Sequence, residues 1–114
     1  MVKVITYLDE RSEIRAFQVE GHAGFARAGE DIVCAAISAL TISAVNGLEA
    51  YLSEKPDSDE TDGKLVCRLP GELAPESQLI AKVILGTMLL GLKEIRSSYG
   101  SRYISFEQRR WTPC

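Results

Sequence analysis

The segment from Gly21 to Cys34 constrains this chain most, because it carries the only histidine of the sequence and ends on a cysteine. Between them lies a loop with two glycines and three alanines, and the loop ends on Asp31. Aspartate is a preferred helix N-cap, so a helix is predicted to begin at Ile32. Cys34 then stands in the first helical turn, among backbone N–H groups that have no partner within the helix.

This position favours the thiolate form of Cys34. The positive end of the helix dipole and a protonated His22 nearby would both stabilise a negative charge on sulfur. The thiolate is the attacking form, and His22 would protonate the leaving amine and later activate water. Backbone N–H groups at the helix start, including that of Cys34, are the expected oxyanion donors. A cysteine-dependent hydrolase with His22 and Cys34 as catalytic residues is therefore predicted.

Two further polar residues are predicted to support the pair. Asp31 has two interpretations, since it either caps the helix or orients His22 as a third member of the site. Ser38 lies one turn beyond Cys34 on the same helical face, where it would support the thiol or a bound water.

The loop before the helix is predicted to be a mobile flap over the thiol. Gly24 and Gly29 give it conformational freedom, and Phe25 and Arg27 are available for substrate contact. A phosphate-binding loop is disfavoured, because no GK[ST] or GxGxxG pattern is present and two acidic residues precede the helix.

The chemistry of the pair leaves a plainer interpretation open, since a lone helical cysteine is usually a small buried apolar residue. Cys67 is interpreted as a core strand residue and Cys114 as a frayed terminus. Because no CxxC or similar spacing occurs, no metal site is predicted, and no other cofactor is expected.

Length and composition predict one domain over residues 1–114. The formal net charge of -3 and the lack of a basic stripe give no sign of nucleic-acid binding. Three cysteines without a secretory signal disfavour a disulfide framework and favour a cytoplasmic location. The uncharged run at 32–48 is short for a membrane span and contains polar residues, so a buried helix is predicted there.

Hydrophobic periodicity predicts an α+β fold in ββαβαβ order, with two helices on one face of a four-stranded, mostly antiparallel sheet. Strands are expected at 2–8, 14–20, 64–69 and 103–110, and helices at 32–53 and from 75 to about 97. The acidic segment at 54–63 is expected to be a solvated loop. Both helices are more apolar than one sheet face requires, which favours a homodimer.

The chain also resembles a known family. GHAG at residues 21–24, followed by GEDIVCAAIS at residues 29–38, is similar to the signature of the ribosomal-processing cysteine protease Prp family. The resemblance extends over essentially the whole chain in length and element order. It implies a bacterial cytoplasmic endopeptidase that works as a homodimer, with His22 and Cys34 as its dyad and Gly21 as the hinge of a flexible loop. The implied substrate is large-subunit ribosomal protein twenty-seven, which is made with an N-terminal extension.

Two other functions stay open at this point. One is a non-catalytic module that binds a ribosomal protein or an assembly intermediate. The other is a thiol-based redox or acyl-transfer protein, which is disfavoured because no resolving cysteine lies near Cys34 in the sequence.

Overall fold

The computed structural model describes residues 1–27 and 29–112. Its elements, in chain order, are β1 (Val2–Leu8), β2 (Ile14–Glu20), α1 (Ile32–Tyr51), β3 (Asp57–Thr61), β4 (Lys64–Arg68), α2 (Pro75–Tyr99) and β5 (Ile104–Arg110). The predicted α+β class and the two long helices are confirmed, and the order is ββαββαβ. The interpretation of Cys114 as a frayed terminus lies outside the described residues.

The sheet has five strands in the order β3-β4-β2-β1-β5. Pairings β1–β2, β2–β4 and β3–β4 are antiparallel, whereas β1–β5 is parallel. The prediction of four strands in ββαβαβ order is therefore wrong, although most pairings are antiparallel.

The error lies in the acidic segment that was expected to be a solvated loop. Every residue of β3 is exposed, so its sequence has no apolar alternation to mark it as a strand. β3 forms because its backbone pairs with β4 across a tight turn, in which Gly63 adopts a φ of 74°. Its acidic side chains suit an edge strand, since charge discourages pairing with other chains.

Both helices bury their apolar stripes against one face of the sheet. The sheet and the two helices all contribute large side chains to the core between them. The most enclosed of these include Phe17 of β2, Leu48 of α1, and Leu85 and Leu92 of α2. Burying each such side chain stabilises the fold by about 1.5–3 kcal/mol. By length and composition, α1 is the one helix in the described residues that could cross a membrane, but it packs into this core through Ile37.

The two helices approach each other closely at glycines. A Cβ atom built on Gly91 would lie 2.8 Å from Cδ1 of Leu40, and one on Gly47 would lie 3.4 Å from Cδ1 of Ile84. An added methyl group at Gly91 would overlap the end of the Leu40 side chain, which would have to shift to admit it.

Candidate active site

Three of the predicted site residues line the same two cavities. His22, Cys34 and Ser38 border a strand-side cavity of about 140 Å³, whose far wall is the hairpin of β3 and β4. They also border a loop-side cavity of about 530 Å³, whose other wall includes Gly24 and Gly29. The end of β2 and the first turns of α1 thus bring together an imidazole, a thiol and a hydroxyl that are distant in sequence.

His22 is the second residue after Glu20, the last residue of β2, and it is exposed. Gly21 precedes it with a φ of 95°, and a Cβ atom there would lie 2.5 Å from the carbonyl oxygen of Met1. Only glycine fits this bend. The N–H of Gly21 donates to the carbonyl oxygen of Gly63 at 2.8 Å. Nε2 of His22 lies 3.3 Å from where a Cβ on Gly63 would stand, so the imidazole borders the β3–β4 turn.

Cys34 is a half-buried free thiol in the first turn of α1. Its N–H donates to Oδ1 of Asp31 at 2.9 Å, and the N–H of Ala35 donates to the Asp31 carbonyl oxygen at 3.0 Å. The predicted N-cap is confirmed. The cap also occupies the Cys34 N–H that was expected to serve an oxyanion, so that role requires the bond to the carboxylate to break.

Asp31 ties the loop to the helix as well as capping it. Its Oδ2 accepts the N–H of Phe25 at 3.0 Å. Hydrogen bonds from backbone N–H groups, that of Cys34 foremost, hold the pKa of the Asp31 carboxyl below its ordinary value. The carboxylate is thus engaged by the backbone on both oxygens. Whether it also orients His22 stays a prediction.

The loop is anchored by an aromatic contact. The Phe25 ring meets Tyr99 and Tyr103 edge to face, with centroids 5.6 and 5.3 Å apart. Gly24 and Gly29 have φ values of 73° and 86°, which side chains rarely adopt. The structure therefore places Phe25 against the end of α2 and the start of β5, and outside the walls of both cavities.

Arg27 also lies away from the cavity walls. Its guanidinium forms an exposed ion pair with Glu30 at 3.3 Å. The substrate contacts expected of Phe25 and Arg27 stay predictions. Within residues 1–27 and 29–112, no group of histidine, cysteine and acidic residues could hold a metal ion.

Cys67 lies in a different environment from Cys34. It is buried in β4 with 1% of its surface exposed, as its interpretation as a core residue predicts. Burial, with smaller contributions from Glu49 and Asp57, raises the pKa of its thiol to about 11. The two described cysteines thus divide into one at the cavities and one in the core.

One wall of the site was not predicted from the sequence. Glu60, Thr61 and Gly63 line the strand-side cavity, although their segment was expected to be a solvated connector. A signal was available, because Asp62-Gly63 is a dipeptide typical of tight hairpin turns and is followed by a strong strand.

Comparison with known proteins identifies relatives over most of the chain. The model of the family described as Cysteine protease Prp matches residues 1–105. A ribosomal processing cysteine protease Prp of Bacillus subtilis is 33% identical over 88 residues, which cover 75% of this chain and 79% of the relative. The protein of that name from Mycoplasma pneumoniae is 37% identical over 90 residues, which cover 79% of this chain and 83% of the relative.

Solved structures agree with the fold. The crystal structure of an essential ribosomal processing protease Prp from S. aureus, in complex with a covalently linked product peptide, superposes with a TM-score of 0.83 at 29% identity. The superposition covers 96% of this chain and 100% of the S. aureus chain. The structure of the S. aureus protease with a substrate peptide gives 0.77 at 28% identity, with the same coverage.

Proposed function

Because the chain belongs to the cysteine protease Prp family and is a cysteine endopeptidase, we propose that it removes the N-terminal extension of bacterial large-subunit ribosomal protein twenty-seven. The relatives are named ribosomal processing proteases, and one of the S. aureus structures holds a substrate peptide. We assign His22 and Cys34 as the dyad. The observation that carries this assignment is that both residues border the same two cavities at the start of α1.

The proposed reaction has two steps. The Cys34 thiolate attacks the scissile carbonyl carbon, and collapse of the tetrahedral intermediate breaks the C–N bond while His22 gives its proton to the leaving amine. The extension is then held as a thioester on Cys34. His22 takes a proton from water, the resulting hydroxide attacks the thioester, and Cys34 leaves as thiolate. The covalently linked product peptide of the S. aureus relative supports a covalent link of this kind.

Asp31 and Ser38 complete the proposed site. Asp31 holds the loop against the first turn of α1 before substrate arrives, because its carboxylate accepts the N–H of Phe25 in the loop and that of Cys34 in the helix. Ser38 borders both cavities together with the dyad, where its hydroxyl can hold the water of the second step.

The glycine loop is proposed to move when substrate binds. Gly21 is the hinge, supported by its positive φ, and Gly24 and Gly29 provide further freedom. Phe25 contacts substrate only after it has left the two tyrosines. Arg27 is exposed beside it and can turn to the same peptide.

A cytoplasmic homodimer is the proposed working form, acting on a peptide and not on nucleic acid or a membrane. Exposed apolar side chains on α2 support self-association, since Leu79, Val83 and Leu90 are 62%, 58% and 70% exposed. The free thiols of Cys34 and Cys67 suit a reducing compartment.

Analytical ultracentrifugation tests the dimer: Leu90→Glu should convert it to a monomer, and an unchanged mass would contradict this assembly.

The activity is tested with the purified precursor of ribosomal protein twenty-seven, followed by intact-mass spectrometry. The wild-type protein should shorten the precursor at one bond, whereas Cys34→Ala and His22→Ala should leave it intact. Ser43→Ala changes an exposed residue of α1 outside both cavities and serves as the control, which should cleave normally. Normal cleavage by Cys34→Ala would overturn the proposed function.

A further inference from the structure

The wall of the strand-side cavity combines aliphatic side chains with polar ones, and one carboxylate is among them. The apolar part comes from five aliphatic side chains, Val2, Val19, Ile37, Ile42 and Leu65. Glu60 of β3 is the one acidic residue in its wall. The same wall contains His22 and Cys34, so a side chain that enters this cavity belongs to the segment of substrate near the reacting bond.

The strand register directs the Glu60 side chain towards the cavity. Glu60 is paired with Leu65, and directly paired residues share a face of the sheet. Leu65 is buried under the helices, so Glu60 projects to the helix side. Ser58 shares that side and its hydroxyl reaches Oε1 of Glu49 on α1 at 3.4 Å. Asp59, between them, projects to the opposite face.

The charge of Glu60 is uncompensated within the part of the chain that the structure describes. The ion pairs found there involve Glu30, Asp57 and Glu107. Two other residues of the wall can carry a positive charge. His22 forms no ion pair with Glu60, and Lys64 precedes Leu65 in β4 and so directs its side chain to the far face of the sheet. A cation that enters the cavity therefore meets a carboxylate that is free to pair with it.

Lysine and arginine combine an apolar stem with a cationic end, which matches a cavity wall that holds both aliphatic side chains and a carboxylate. We infer that Glu60 is a specificity-determining residue, which selects substrates with a lysine or arginine close to the cleaved bond. The inference rests on the proposed function, because the cavity meets substrate in this way only if His22 and Cys34 form the dyad. An acidic side chain at the same substrate position is disfavoured by repulsion from Glu60.

The test uses synthetic peptides that span the bond cleaved in the ribosomal-protein precursor. Each residue that flanks the bond is replaced in turn by Lys, Gln or Glu, and kcat/KM is measured for each peptide. At one flanking position the wild-type enzyme should prefer Lys over Gln about fivefold, as expected for a partly exposed ion pair. The preference should shrink as ionic strength rises, because salt screens exposed charges.

Glu60→Gln should reduce the Lys-to-Gln preference to about one, within a factor of two. Asp59→Asn is the matched control, because it removes the same charge from the neighbouring residue on the opposite face, and it should keep the full preference. If Glu60→Gln keeps the preference, or if the wild-type enzyme shows none at any position while still cleaving, the assignment of Glu60 is wrong. If the wild-type enzyme cleaves no peptide, the proposed function fails, and the assignment fails with it.

Discussion

The two helices begin in different ways, although both starts leave backbone N–H groups that need acceptors. At α1, Asp31 stands directly before the helix and accepts the N–H of Cys34. At α2, Ala74 offers no side-chain acceptor, and Glu54, 20 residues earlier, accepts its N–H at 2.8 Å. One cap is local to the helix it serves, and the other comes from the segment that follows α1.

The consequence appears at the third residue after each cap. Cys34 is half-buried and faces the cavities, whereas Ser77 is 2% exposed and donates its hydroxyl to Oε1 of Glu54 at 2.7 Å. A local cap satisfies the helix start and leaves the third side chain available for chemistry. A distant cap recruits the third side chain to hold two segments together.

The largest expected effect comes from replacing the third residue after each cap, Cys34 or Ser77, by alanine. Cys34→Ala should lower precursor cleavage by about 10³-fold or more while the melting temperature stays close to wild type. Ser77→Ala should do the reverse, keeping cleavage near normal and lowering the melting temperature by several degrees, since Glu54 loses a buried donor. Kinetic assays and differential scanning calorimetry measure both. A large loss of cleavage in Ser77→Ala would erase the distinction between the two helix starts.

Thiol reactivity sharpens the same contrast. In native protein at pH 7, iodoacetamide should modify Cys34 about 100-fold faster than Cys67, as followed by peptide mass spectrometry. Burial and a pKa of about 11 leave Cys67 almost wholly protonated and shielded. Unfolding the protein in guanidinium should bring the two rates together, which provides the control. Comparable rates in the native state would place Cys34 in an ordinary structural environment.

Removing the distant cap should lower stability. Glu54→Ala leaves the Ala74 N–H and the Ser77 hydroxyl without their acceptor, so the melting temperature should fall by several degrees. Glu72→Ala, an exposed acidic residue outside this contact, should change it by about one degree or less. Equal shifts for the two variants would show that the contact contributes little to α2.

The smallest expected effect comes from changing the local cap, Asp31, and it is measured as the dependence of the melting temperature on pH. Since hydrogen bonding holds the folded-state pKa of Asp31 below the ordinary 3.8, its charge contributes stability above pH 4, and this contribution is lost as pH falls through the lowered value. Asp31→Asn keeps a good N-cap but lacks the charge. Its melting temperature should therefore lie about one or two degrees below wild type at pH 7. The curves should converge once the pH falls below the lowered pKa of Asp31, and a constant offset would contradict this origin.

Features with local causes could be predicted from the sequence. The bounds of β1 and β2 match the alternation of apolar residues, and α1 begins at Ile32 because Asp31 caps it. The shared cavity of His22 and Cys34 agrees with their predicted places at a strand end and a helix start, and their catalytic role stays a prediction. The predicted end of α1 at residue 53 is two residues too far, since the helix ends at Tyr51.

Features with distant causes could not be predicted in this way. β3 has no buried face, and the parallel pairing of β1 with β5 joins the two ends of the chain. The second hydrogen bond of Asp31, from the Phe25 N–H, depends on backbone angles within the loop that no residue pattern specifies. The place of Glu60 in the cavity wall could not be predicted either, because it depends on the pairing of Glu60 with Leu65.

The edge-to-face contacts of Phe25 with Tyr99 and Tyr103 have a consequence for how activity can be adjusted. Each such contact contributes about 0.5–1.5 kcal/mol beyond simple burial, so under the proposed loop movement they stabilise the loop position seen in the structure. Both tyrosines lie in the last part of the chain, outside either cavity. If the loop moves as proposed, substitutions of Tyr99 or Tyr103 are expected to change the rate of turnover without altering a residue of either cavity wall.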